Sequence, residues 1–352
     1  MTKCKEFEML ERQLKAYCGS GIGSNFFRRS LAPGWWSSEM SANRSLTLSL
    51  AYAIAQRLGV PLMPLINGGE VAPDEMTPCM AYKKRSRDDK SALDRTGAFL
   101  FQLAKTTLCG IDKQDEMPCT PEEMRDKLLE GYRKVDFQSL LDYCWSLGIP
   151  VLSISKHIPN SGSHWHRPQA AVFKHDGKYC IFILEKSQFN AKPLFLLAHE
   201  LGHIVAGHLD VDGCHLDEKV EFGEVEDHED DANAFALKLL CGGYNFEPCP
   251  FSYPKSIADW AIATGKEHNV NPGHLILRDV YAKSCGRDKT TQKRTNIIGT
   301  AALKLINQTD DTDPQRLVLI KEYENLQEDN YKDEAYEYIT RGTGLILDET
   351  GD

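Results

Sequence analysis

The sequence predicts an α+β fold, a small β-sheet with two helices that meet over one site, flanked by helical regions. Three observations predict it. Residues 193–209 place Leu194, Leu197, Leu201, Ile204 and Val205 at helical spacing. Two strand-like runs, 170–175 and 178–184, flank Asp176-Gly177, a strong hairpin signal. Capped, amphipathic segments stand on either side of these runs.

Taken in order, residues 1–20 predict a short helix with Leu10, Leu14 and Tyr17 inward. Pro33-Gly34 marks a turn, and Trp35-Trp36 must pack on something, either a neighbouring helix or a partner. Residues 45–58 read as an amphipathic helix stopped by Gly59. Residues 67–93, with Gly68-Gly69, Pro73, Pro78 and the charge run from Lys83 to Lys90, read as an exposed linker. Helices follow over 94–108, from the Thr120-Pro121-Glu122-Glu123 capping box to about Lys134, and over 137–147. The period then changes to two, with strands at 151–155, 170–175 and 178–184. His164-Trp165-His166 falls in a Ser/Gly/Pro-rich loop, read as solvent-exposed. His215 is placed in a loop without a role. Residues 255–283 predict two helices parted near 269–273. A polar linker at 287–294, a short helix at 300–306 and a charged helix at 315–339 complete the chain.

The chemistry lies in 193–209, Pro-Leu-Phe-Leu-Leu-Ala-His-Glu-Leu-Gly-His-Ile-Val-Ala-Gly-His-Leu. Pro193 suits a first helical turn and Asn190 is a candidate cap. His199 and His203 stand four apart, so both imidazoles leave one face and can share a metal. Glu200 sits beside that point, placed to take a proton from water held there. This is the His-Glu-x-x-His zinc hydrolase signature. His208, five beyond His203, falls off that face and is left as an orienting or substrate-facing group. A third ligand is expected from 224–243, whose acidic opening suits a helix start and whose Gly242-Gly243 suits its stop. Glu229 and Asn233 share a face there, Glu229 as an oxygen ligand and Asn233 as a hydrogen-bond partner to a ligand. Glu226, His228, Asp230 and Asp231 are rival ligands.

These two stretches, HELGHIVAGH and EDDANAFALKLL, resemble the ImmA/IrrE family of zinc metallo-endopeptidases. The resemblance covers roughly residues 135–285. It implies Zn2+ held by His199, His203 and Glu229, with Glu200 as catalytic base. The family is associated with regulated cleavage of repressors in phage, mobile-element and stress-response systems. A protein substrate such as a transcriptional repressor is therefore implied. The sequence departs from the family pattern at Asp231, where Glu is frequent, and at Cys241-Gly242-Gly243, where Pro is expected.

The division read from the sequence is a helical region over 1–66, a linker over 67–93 and a zinc metallopeptidase domain over 94–245. A helical extension of the core over 246–295 and a C-terminal helical region over 296–352 follow. A formal net charge of −10 argues against broad nucleic-acid binding. No run of about 18 apolar residues suggests a membrane span. The N-terminus lacks a secretory apolar segment, and 11 scattered cysteines suit a reducing compartment, so a cytoplasmic location is expected. The readings from other classes are a non-catalytic protein-binding regulator on the same scaffold and a DNA-binding regulator. For the latter, residues 20–66 lack a basic recognition helix.

Overall fold

The structure is a computed structural model that describes residues 2–74, 80–81, 87–159, 164–209, 212–217, 227–306 and 313–345. The side chains of 80–81, 87–90, 217 and 227–230 lie outside that description. The chain begins with α1 (Lys5–Cys18), α2 (Arg44–Leu58), α3 (Leu62–Asn67), β1 (Met80–Ala81) and α4 (Arg87–Cys109). Then come α5 (Pro121–Gly131), α6 (Phe137–Ser146), β2 (Val151–Leu152), β3 (Ala170–His175), β4 (Lys178–Ile183) and α7 (Ala191–Val205). It ends with β5 (Gly213–Asp217), α8 (Asp227–Cys241), α9 (Pro254–His268), α10 (Pro272–Ser284), α11 (Lys289–Ile306), α12 (Pro314–Asn325) and α13 (Asp333–Thr343).

Alternation along one hairpin divides the interior. Asp176 and Gly177 both take positive φ, 50° and 74°, as a two-residue turn matched to strand twist requires. In the paired strands Ala171, Phe173, Cys180 and Phe182 face one core, shared with the helices of the N-terminal region and with Tyr338 and Ile339 of α13. Ala170, Val172, Ile181 and Ile183 face the other, shared with α5, α6, α7 and α8. Period-two side chains thus make the small sheet a middle layer in a mostly helical molecule. A third core belongs chiefly to α9, α10 and α11.

The sheet order is β1-β5-β3-β4-β2. β3 runs antiparallel to β4 and to β5, whereas β1 and β2 pair parallel with β5 and β4. Just past β2 the backbone is closed by the C-terminal helices. Glu322 of α12 accepts the Ser153 N–H at 2.5 Å, and the Gly342 carbonyl accepts the Ser155 N–H at 2.8 Å. Glu322 is fully buried, and burial pushes its carboxyl up to about 7. Among the described residues no helix is long and apolar enough to cross a membrane.

Several sequence expectations need correction. Residues 213–217 form a strand, not a loop, because β3 offers them an antiparallel partner and β1 a parallel one. The stretch 67–93 holds β1 and the first turns of α4, which starts at Arg87 rather than 94. The strand expected at 151–155 is two residues long, since Ser153 and Ser155 turn to the C-terminal helices instead. Residues 289–306 are one helix, its start capped by Asp288, which accepts the Thr290 and Thr291 N–H groups. The charged helix of 315–339 is two, with Val318, Glu322, Tyr338 and Ile339 buried. Trp165 is not in solvent: it is buried against Phe26 and Phe99, and its indole N–H donates to the Cys18 carbonyl at 3.0 Å. Trp36 stacks on Phe7 at 5.7 Å.

Candidate metal centre

The centre is built on α7. Every residue from Pro193 to Ile204 is buried, so this stretch of the helix has no solvent face. It is enclosed by α6, α8, α10 and the sheet. Asn190 precedes it, but its side chain makes no cap bond. His199, Glu200 and His203 are all fully buried. Three polar side chains at such depth are unusual, because an unsatisfied buried polar group costs stability.

Close helix packing brings the second layer in. A Cβ at Gly202 would stand 2.8 Å from Ala232 Cα, so α7 and α8 touch through backbone there. That approach sets Asn233 Oδ1 3.1 Å from His199 Nδ1. The amide oxygen accepts, so Nδ1 of His199 carries the proton and Nε2 carries a lone pair. His203 Nε2 lies 3.0 Å from that Nε2, across the four-residue spacing. On the other side of its ring, His203 Nδ1 lies 2.7 Å from His208 Nδ1.

His208 does not stay off the face, as helical geometry alone would have it. The helix ends at Val205, and Gly207 takes φ 70°, a left-handed turn that only glycine adopts without strain. The chain folds back, His208 N–H donates to the His203 carbonyl at 3.1 Å, and the ring reaches His203. The signal in the sequence is Gly207-His208, which marks a helix stop rather than more helix. His208 Nε2 in turn lies 3.9 Å from Asp231 Oδ2. His215 of β5, to which the sequence assigned no role, stacks on His203 with ring centroids 3.9 Å apart. Nothing local marks it, because its place depends on β5 pairing with β3.

On the other flank His274 of α10 is fully buried and stacks on Phe195, which leans on His199. Burial, with Arg278 nearby, pushes its basicity down to about 3, so it stays neutral. This ties α10 to α7.

The predicted residues therefore fall as follows. His199, Glu200, His203 and Asn233 lie in one buried cluster. Glu229 lies in α8, one turn before Asn233, but its side chain is outside the described residues, as are those of Glu226, His228 and Asp230. Asp231 is largely exposed beside His208. His208 itself lies behind His203, on the Nδ1 side, so it cannot join the two Nε2 atoms around one ion.

Among the described residues two donors that a metal ion could use face one another here. Two imidazole Nε2 atoms converge on one point, one of them oriented by an amide from behind, with a carboxylate residue between them in the helix. A separate group of His175, Asp176 and Asp212 also brings ligand atoms within 4.8 Å of one another and could hold a metal ion. It sits at the hairpin turn, and His175 Nδ1 is already 3.1 Å from Asp212 Oδ2. Comparison of the chain with known protein families and with characterised proteins finds no match.

Proposed function

We propose that the chain is a zinc-dependent endopeptidase of the ImmA/IrrE kind, acting on a specific regulatory protein such as a repressor. The observation that carries this reading is the convergence of His199 and His203 Nε2 at 3.0 Å, next to a fully buried Glu200. A zinc ion bound there would supply Lewis acidity to a peptide carbonyl and make a water acidic near neutral pH.

The chain's own residues do the rest. His199 and His203 bind through Nε2, and Glu229, one turn before Asn233, is the proposed third ligand. Asn233 holds the His199 ring by accepting its Nδ1 proton. Glu200 accepts a proton from the attacking water and returns it to the leaving nitrogen. The apolar surroundings of α7 keep that exchange out of bulk solvent.

One observation favours a second reading, a protein-binding regulator on the same scaffold. The imidazoles can close a chain of hydrogen bonds without an ion, His208 to His203 to His199 to Asn233. Glu200→Gln separates the two readings. The variant should keep wild-type zinc content but lose cleavage of a co-expressed partner by about 10²–10⁴-fold. Full biological activity in Glu200→Gln would sink the peptidase reading in favour of the regulator.

A further inference from the structure

We infer that His208 is a positioning residue for His203, the outer member of an Asp231–His208–His203 chain that sets which His203 nitrogen faces the metal. The inference rests on the zinc reading above, and concerns a residue which that reading leaves without a task.

Proton counting leads to it. With Asn233 Oδ1 accepting from His199 Nδ1, neutral His199 has only a lone pair at Nε2. Two lone pairs cannot face each other at 3.0 Å, so without metal His203 Nε2–H donates to His199. Neutral His203 then has a lone pair at Nδ1, and the 2.7 Å contact requires His208 Nδ1–H to donate to it.

Metal binding requires the other arrangement. His203 must turn its Nε2 lone pair inward, so its proton moves to Nδ1. Nδ1–H then donates across the same 2.7 Å contact, and His208 Nδ1 must be the acceptor. A neutral His208 therefore changes tautomer, from Nδ1–H to Nε2–H. The balance is closed: the His203 Nε2 proton leaves to solvent, the His208 Nδ1 proton passes to His203 Nδ1, and one proton from solvent arrives at His208 Nε2. That new N–H faces Asp231 Oδ2, at 3.9 Å within reach of a small side-chain shift. A carboxylate is the group that favours this tautomer.

The geometry also says why this residue is a histidine. An acceptor alone would serve the metal-bound state, and a donor alone the metal-free one. An imidazole does both by moving one proton, with no change of rotamer. Its side chain is only 5% exposed, so bulk water does not replace it. Gly207 is what permits the approach, since its left-handed φ of 70° folds the ring back onto α7.

The test uses the full chain, zinc as the only ligand, and three proteins: wild type, His208→Leu and His208→Asn. Zinc affinity is measured by competition with a chromophoric chelator, and the imidazole tautomers of His203 and His208 by ¹⁵N NMR with and without zinc. Leu keeps the bulk and removes both hydrogen-bonding roles, so affinity should fall about 10–100-fold. Asn presents an oxygen near the Nδ1 position and should recover most of that loss, which packing alone would not restore. In wild type the His208 proton should move from Nδ1 to Nε2 on adding zinc. Wild-type binding with an unchanged His208→Leu affinity, or with His208→Asn as poor as Leu, would overturn the positioning role alone. So would a His208 that keeps Nδ1–H when zinc is bound. A folded wild type that binds no zinc would overturn the metal reading and this role together.

Discussion

At Gly202 the two helices of the candidate centre touch through backbone, and replacing it with alanine tests the construction of the site. A Cβ at 202 would meet Ala232 Cα at 2.8 Å, Ala232 O at 2.9 Å and Phe235 Cβ at 3.2 Å. The first two are backbone atoms, so no rotamer change relieves them. Ordinary contact begins near 3.4 Å, so α8 must retreat by about 0.6 Å. The His199–Asn233 hydrogen bond starts at 3.1 Å, and a retreat of that size carries it beyond the useful limit of about 3.5 Å. Overpacking of this kind costs about 1–3 kcal/mol, and Ala for Gly in a helix returns about 1 kcal/mol. Gly202→Ala should therefore lose no more than about 2 kcal/mol in urea unfolding of the metal-free protein. Its zinc affinity should fall about tenfold or more, because an oriented ligand has lost its partner. Chelator competition measures the second quantity. Wild-type affinity in the variant would refute the argument that close α7–α8 packing orients His199.

Three further outcomes are expected. Glu229→Ala should lose far more zinc affinity than Asp231→Ala, since Asp231 is largely exposed beside His208; a larger loss at Asp231 would move the ligand assignment. Arg125 donates to the Leu239, Leu240 and Asn269 carbonyls at 2.8, 2.9 and 2.7 Å, binding the ends of α8 and α9 together, so Arg125→Ala should cost about 3–5 kcal/mol in denaturant unfolding and Arg125→Lys should recover only part. Glu322, with its carboxyl raised to about 7 in the fold against 4.5 unperturbed, keeps a proton that the unfolded chain has already released. Stability should thus fall as pH rises from about 4.5 to about 7 and stay lower above that. Glu322→Gln, which still accepts the Ser153 N–H, should remove a penalty of order 3 kcal/mol at pH 8. Parallel stability curves for the two proteins from pH 4 to 8 would contradict this.

What was legible in the sequence was what depends on near neighbours along the chain. The α7 helix follows from its apolar periodicity, its facing histidine pair from a spacing of four, and the β3–β4 hairpin from Asp176-Gly177 between alternating strands. The α8 stop at Gly242, which takes φ 60°, is equally local. Asn233 could be placed on a face, but its contact with His199 needed the close approach at Gly202.

The tertiary structure alone decided the rest. Gly213–Asp217 has no long apolar run, and it becomes a strand because β3 supplies its hydrogen bonds; only then does His215 lie on His203. Trp165 is buried because helices distant in sequence close over it. Residues 315–339 read as one charged helix, yet Glu322 and Tyr338 are interior, since the Ser153 N–H and the Arg57 carbonyl they bond come from other parts of the chain. His208 is the plainest case. Helical periodicity alone turns it away from the site, and one left-handed glycine between it and the helix end brings it back. The difference is physical: a periodic pattern describes a helix only while it lasts, whereas what lies past its end is set by the surfaces the chain then meets.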